Sequence, residues 1–231
     1  MKNFTFHQLF ERESSTYTYL LADADSLEAV IIDPVLETSA RDLQLIQELG
    51  LKLLYILETH IHADHITGAA KLSDATGAQI AVSGHAQATG ANLFLKDGDV
   101  IPFGRHRLKA LSTPGHTDSC MCFYMEDRVF TGDALMIRGT GRTDFQQGCA
   151  PTLFKSVTSK LFTLPEDTLV YPGHDYKGFT SSTIGSEKRF NCRLGHNHSM
   201  EDFIKIMSEL KLDQPKKIDV AVPANLKCGR V

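Results

Sequence analysis

The stretch "LKLLYILETHIHADH", Leu51 to His65, joins two kinds of sequence. Its first half is an apolar run of Leu, Ile and Tyr entered through Gly50, and it reads as a buried β-strand. Its second half sets His60, His62, Asp64 and His65 directly after the end of that strand. Neutral imidazole and ionised carboxylate are good ligands for zinc, iron or manganese. His60 and His62, two positions apart, point the same way at strand spacing. The cluster therefore poses two readings: two ions arranged for hydrolysis, or one ion serving other chemistry.

Working outward, "STYTYLLAD" and "EAVIIDP" read as strands, the second closed by Asp33-Pro34. "TSARDLQLIQELG" reads as a helix with a Thr/Ser start and a Gly50 stop. After the cluster the pattern predicts a helix from Thr67 to Thr76 and a strand over "AQIAVS". The short strands "DVIPFG", "HRLKALSTPGH", "CMCFYME" and "RVFTGDA" come next. A helix around "TLFKSVTSKLF" leads to the strand "TLVYPGH", and "TIGSEKRFNCRL" and "MEDFIKIMSEL" read as helical. Strands recurring with helices between them predict an α/β fold, sheet packed on sheet with helices on the outer faces. Residues 1–231 read as a single domain, with 184–231 a helical section packed on it.

"STPGHT", "FTGDA" and "YPGHD" also begin where predicted strands end, adding His116, Asp133 and His174 to the candidate ligands. Loops at strand ends converge without disturbing a core, so function collects there. Core packing does not explain so many imidazoles and carboxylates at strand ends.

Composition narrows the partners. The 231 residues are 42% apolar and carry a net charge of −4, with no basic block. Nucleic acid needs clustered Lys and Arg, so it is not expected as a partner. No run approaches the roughly 18 apolar residues of a membrane span. The opening "MKNFTFHQLFERESSTYTYLL" lacks the order of a signal peptide, and its early acids disfavour a transit peptide, so a cytoplasmic location is expected. Five scattered cysteines suit a reducing compartment, and Cys120-x-Cys122 reads as packing on one strand face. His196 and His198 lack partner ligands in sequence and read as exposed.

The pattern H-x-H-x-D-H followed by single His, Asp and His resembles the metallo-β-lactamase superfamily. That resemblance implies an αβ/βα four-layer sandwich, two packed mixed sheets with outer helices, and a metal site at one edge. It places His60, His62 and His116 at one metal position and Asp64, His65 and His174 at a second, with Asp133 bridging. Lactamases of this fold usually carry Cys where Asp133 stands. Two ions about 3.5–4 Å apart would activate a bridging water, as in hydroxyacylglutathione hydrolase (glyoxalase II), a thioesterase. The alternative is one Fe(II) on two histidines and a carboxylate, the facial arrangement of non-haem oxygenases.

Further segments discriminate. "THIHADHITGA", "STPGHTDSC", "FTGDALMIRGTGRTDFQQG", "YPGHDYKGFTSSTIGSEKRFN" and "VAVPANLKCG" closely resemble the persulfide dioxygenases, the ethylmalonic encephalopathy protein family, nearly end to end. The resemblance implies oxidation of glutathione persulfide by O₂ and water to sulfite and glutathione. It implies one Fe(II) per chain on His60, His116 and Asp133, with His62, Asp64, His65 and His174 supporting those ligands. It places Thr117, Arg142, Tyr176 and Arg193 around the glutathione moiety, and it implies a homodimer. "NCRL" departs from the family's usual N-P-R-L, so Cys192 is specific to this chain's reading.

Overall fold

The computed structural model describes residues 4–215 and 217–230. The first sheet runs in chain order: β1 (Phe4–Glu11), β2 (Thr16–Asp23), β3 (Glu28–Ile32), β4 (Lys52–Leu57), β5 (Gln79–Ser83) and β6 (Leu93–Leu95). Its first two pairings are antiparallel and the next three parallel. The parallel pairs need crossovers, supplied by α1 (Ser39–Glu48) and α2 (Ala69–Thr76). The second sheet is built from β7 (Val100–Phe103), β8 (His106–Ser112), β9 (Met121–Met125), β10 (Arg128–Gly132), β11 (Leu169–Pro172) and β12 (Ser182–Thr183). It is antiparallel except where β10 lies parallel to β11, joined through α3 (Ala150–Ser156).

Period-two alternation fixes the layers. Along β2, Tyr19 and Leu21 face the other sheet and pack with Phe103, Phe123 and Phe130, while Leu20 and Ala22 face outward against Ile46 and Leu72 of the helices. On the second sheet's outer face, Cys122, Val129 and Val170 pack with Leu153, Phe203 and Met207. The result is helix, sheet, sheet, helix, the four-layer sandwich expected from the sequence. Burying a large apolar side chain contributes roughly 1.5–3 kcal/mol, so the seam between the sheets and both helix-facing layers stabilise the sandwich.

Three helices follow β12: α4 (Ile184–Phe190), α5 (Met200–Glu209) and α6 (Ile218–Asn225). α5 starts with a capping box, Ser199 and Asp202 satisfying each other's backbone N–H. α6 contains Pro223 and packs beside Cys228 on the first sheet's helical layer. No helix among the described residues is long and apolar enough to cross a membrane. Cys122 is buried in β9 and packs in the outer core, whereas Cys120 is buried in the loop just before that strand and bonds Thr117; burial pushes both thiols up to about 12.

Candidate metal centre

Loops leaving β4, β8, β10 and β11 converge at one edge of the sandwich, and each carries a ligand candidate. The segment after β4 is anchored by Asp33 at the end of β3. Asp33 Oδ1 accepts from Thr59 N and Oδ2 from Thr59 Oγ1, both at 2.7 Å. Thr59 O in turn accepts from Met121 N (2.7 Å), which ties this loop to the second sheet. From α6, Asn225 Nδ2 donates to His62 O (2.9 Å) and His65 O (2.8 Å).

Donor atoms of His60, His116 and Asp133 lie within 4.8 Å of one another, and the two rings meet nearly perpendicular at 79°. The surrounding bonds decide the tautomers. Thr59 Oγ1 gives its proton to Asp33, so it accepts from His60 Nδ1 (3.0 Å). His116 Nδ1 donates to Arg142 O at 2.7 Å. Both rings thus hold their proton on Nδ1 and keep the Nε2 lone pair for an ion. Burial holds His60 well below the ordinary histidine range, keeping it neutral. Gly141 makes the packing possible, since a Cβ there would stand 2.6 Å from His116 Nδ1. Gly173 does the same beside Asp133 Oδ1, at 2.9 Å.

Asp133 divides its oxygens. Oδ1 accepts from His174 Nδ1 at 2.7 Å, while Oδ2 faces His116 Nε2 at 3.8 Å, too far for a hydrogen bond. Burial opposes its ionisation, but the His174 charge and bond, with His116 and His60, hold the carboxyl well below the usual range. His174 Nε2 meets Asp64 Oδ2 and Thr16 Oγ1, each at 3.0 Å. Burial would lower the His174 pKa, yet its two carboxylate neighbours raise it well above the ordinary value. The ring thus joins Asp133 on one side to Asp64 on the other. His62 turns Nε2 toward Asp33 Oδ1 (3.3 Å) and Glu58 Oε2 (3.7 Å), close enough for attraction without hydrogen-bond geometry. His65 Nδ1 contacts Asp64 Oδ2 at 3.1 Å.

The donor set fits one divalent ion: two imidazoles that bond through Nδ1 and leave Nε2, and one carboxylate oxygen, within reach of a common point. Donor atoms of His62, Asp64, His65 and His174 form a second group within the same 4.8 Å limit. Asp64 bonds His65 and His174 within it, while Thr16 and Asp133 bond it from outside.

A cavity of about 500 Å³ opens above His60, His116 and Asp133. Arg142, Tyr176 and Arg193 line it, as expected from the sequence. Arg142 is held in a bidentate pair with Asp144 (2.6 and 2.8 Å) and donates to Asp213 O at 2.6 Å. Arg193 Nη1 bonds Thr140 O, and neither Arg193 nor Lys177 has a carboxylate partner among the described residues. Cys192 also lines the wall, its thiol donating to Arg138 O at 2.9 Å. Thr117 departs from expectation. Its hydroxyl bonds Ser119 and Cys120 on the far side of the His116 loop, because neighbouring residues there face opposite ways. His198 Nδ1 bonds Arg193 O, and neither His196 nor His198 joins a metal-competent group among the described residues. Sequence reading missed Asp33, Thr59 and Asn225. Only Asp33 left a signal, as an acid closing a buried strand.

Residues 12–174 match the Metallo-beta-lactamase superfamily model, the class that the sandwich and its edge site define. The human "Persulfide dioxygenase ETHE1, mitochondrial" is 55% identical, over 96% of this chain and 87% of that protein. The crystal structure of ETHE1 from Myxococcus xanthus superposes with a TM-score of 0.95 at 52% identity, covering 98% of this chain and all of the other. "Glyoxylase B2" of Dictyostelium discoideum is 32% identical over 96% of this chain and 89% of its own length. The chain belongs to the persulfide dioxygenase family of the metallo-β-lactamase superfamily.

Proposed function

We propose that this chain oxidises glutathione persulfide with O₂ and water to sulfite and glutathione, at one Fe(II) held by His60, His116 and Asp133. The observation that carries the reading is His174, whose two ring nitrogens are spent on Asp133 and Asp64. With Oδ1 engaged by His174, Asp133 would offer Oδ2 to the ion. When bound, Fe(II) supplies the redox chemistry that a persulfide sulfur and O₂ require and zinc lacks.

The protein's own groups do the rest. Thr59 and the Arg142 carbonyl fix the proton positions of His60 and His116, so both imidazoles stay oriented through a reaction cycle. Asp64 and His174 are hydrogen-bonded beneath them, with His65 on Asp64 and His62 facing Asp33 and Glu58. Glutathione brings two carboxylates and an ammonium group. Arg193 and Lys177 offer cations with no internal acid, Tyr176 stands at the mouth, and Asp213 can meet the ammonium. Arg142 reaches substrate only in competition with Asp144, so its main effect is to hold the wall whose carbonyl orients His116. Holding sulfur and O₂ in one enclosed site removes much of the entropic barrier to their meeting.

The unpartnered Nε2 atoms of buried His62 and His65 favour a second reading, a dinuclear thioesterase like glyoxalase II. O₂ uptake with glutathione persulfide, on anaerobically iron-loaded protein of known metal content, separates the two. The oxygenase shows one iron and stoichiometric sulfite. Two zinc ions with thioester hydrolysis and no O₂ uptake would overturn it. The assembly we propose is a homodimer of single-domain chains, checked by light scattering. The compartment we propose is the cytoplasm, although the human relative is named mitochondrial.

A further inference from the structure

Two cavities lie back to back at this edge. The larger is the 500 Å³ space above the metal ligands; the second, of about 300 Å³, opens to solvent on the other side. The partition between them is one residue thick. His60 faces the first cavity and Ile61 the second; His116 faces the first and Thr117 the second. Gln146 lines both, and its Nε2 donates to Ile61 O at 2.8 Å across the partition. Gln146 and Gln147 both hold left-handed backbone, φ +47° and +59°, which turns the loop into this position.

We propose that the second cavity is a separate entry for dioxygen, with the Gln146 side chain as its door. The inference rests on the oxygenase reading, because it concerns the order in which two reactants reach one site. A tripeptide persulfide is of a size to fill a cavity of this volume and bury most of its surface there. Once seated with its sulfur at His60, His116 and Asp133, it obstructs the mouth past Tyr176 and Arg193. A second reactant that enters later needs another way in. O₂ is small and uncharged, and Ile61, Ala86, Val222 and Leu226 give the second cavity an apolar side suited to it. The door needs to break only one hydrogen bond, to the Ile61 carbonyl, which thermal motion crosses easily.

The test uses nitric oxide, a diatomic that binds Fe(II) without turnover, mixed in stopped flow with iron-loaded protein, with and without saturating glutathione. His85→Trp narrows the exposed rim of the second cavity far from the ligands, and Gln146→Ala opens the door. Without glutathione, His85→Trp and the wild type should bind nitric oxide at the same rate. With glutathione, His85→Trp should be slower than wild type by about tenfold, and Gln146→Ala faster by about threefold. Equal slowing by glutathione in the wild type and His85→Trp sinks the route alone and leaves the oxygenase standing. Failure of nitric oxide to bind even without glutathione sinks the iron reading and the route together. Unchanged melting temperatures of both variants confirm that the rates report access rather than damage.

Discussion

Replacing Thr59 by Val removes one oxygen and almost no volume, and two buried bonds depend on that oxygen. The first is the 2.7 Å bond donated to Asp33, and the second is the 3.0 Å bond accepted from His60 Nδ1. A hydrogen bond to a charged acceptor contributes about 1.5–3 kcal/mol, and the orphaned His60 N–H adds a desolvation penalty. Asp33 retains Thr59 N, so the expected loss lies near 2 kcal/mol, or about 4–8 °C in melting temperature for a domain of this size. The same change frees the His60 ring to rotate or to move its proton to Nε2, where it blocks a metal. Loss of such an orienting partner typically lowers metal affinity about 10–100-fold. Chelator competition against iron, alongside thermal unfolding of metal-free protein, separates the two effects. Iron affinity within about twofold of wild type, in protein that melts lower, would refute the tautomer argument, because only the structural bond would then have mattered.

Other substitutions probe the remaining assignments. Arg193→Ala should retain iron and raise KM for glutathione persulfide roughly 10-fold or more, since an unpaired pocket cation is lost. Arg142→Ala should also keep its iron and raise KM, but with a fall in kcat because the Asp144-anchored wall carries the carbonyl that orients His116; unchanged kinetics would contradict that placement. His174→Ala, measured by metal analysis, should keep one iron per chain with weakened affinity. Glu58, pushed up to about 8 by burial and the nearby Asp33, binds its proton more tightly folded than unfolded. Its contribution is therefore complete below the unfolded carboxyl range and lost as pH rises through about 8. In metal-free protein the melting temperature of Glu58→Gln, relative to wild type, should rise as pH goes from about 5 to about 8.

Much of this was legible in the sequence. Every long strand with strict apolar patterning, from "STYTYLLAD" to "TLVYPGH", stands where its period placed it. β1 was not foreseen, because an edge strand of half-buried residues mixes Gln, His and Glu with its aromatics. β6 and β12 are too short to show a period, and Pro223 hides α6. The candidate ligands that the fold brings together were readable from type and spacing. Their protonation was not, since it depends on contacts such as Asp33 with Thr59 and His174 with Asp133, which join residues far apart in the chain. Thr117 was misplaced because adjacency to a ligand says nothing about which side of a loop a side chain takes.

The proposed ligands also come from both halves of the sandwich. His60 follows a strand of the first sheet, while His116 and Asp133 belong to the second. Any ion shared among them is a clasp across the seam, in parallel with the Thr59–Met121 and Tyr17–Gly173 backbone bonds. Folding and metal uptake are therefore linked quantities. Occupancy at 100 times the dissociation constant adds about 2.7 kcal/mol to stability. On the proposed iron site, scarcity of the ion would act twice, first as lost turnover and then as a shorter lifetime for a chain whose two sheets are left to those backbone bonds at this edge.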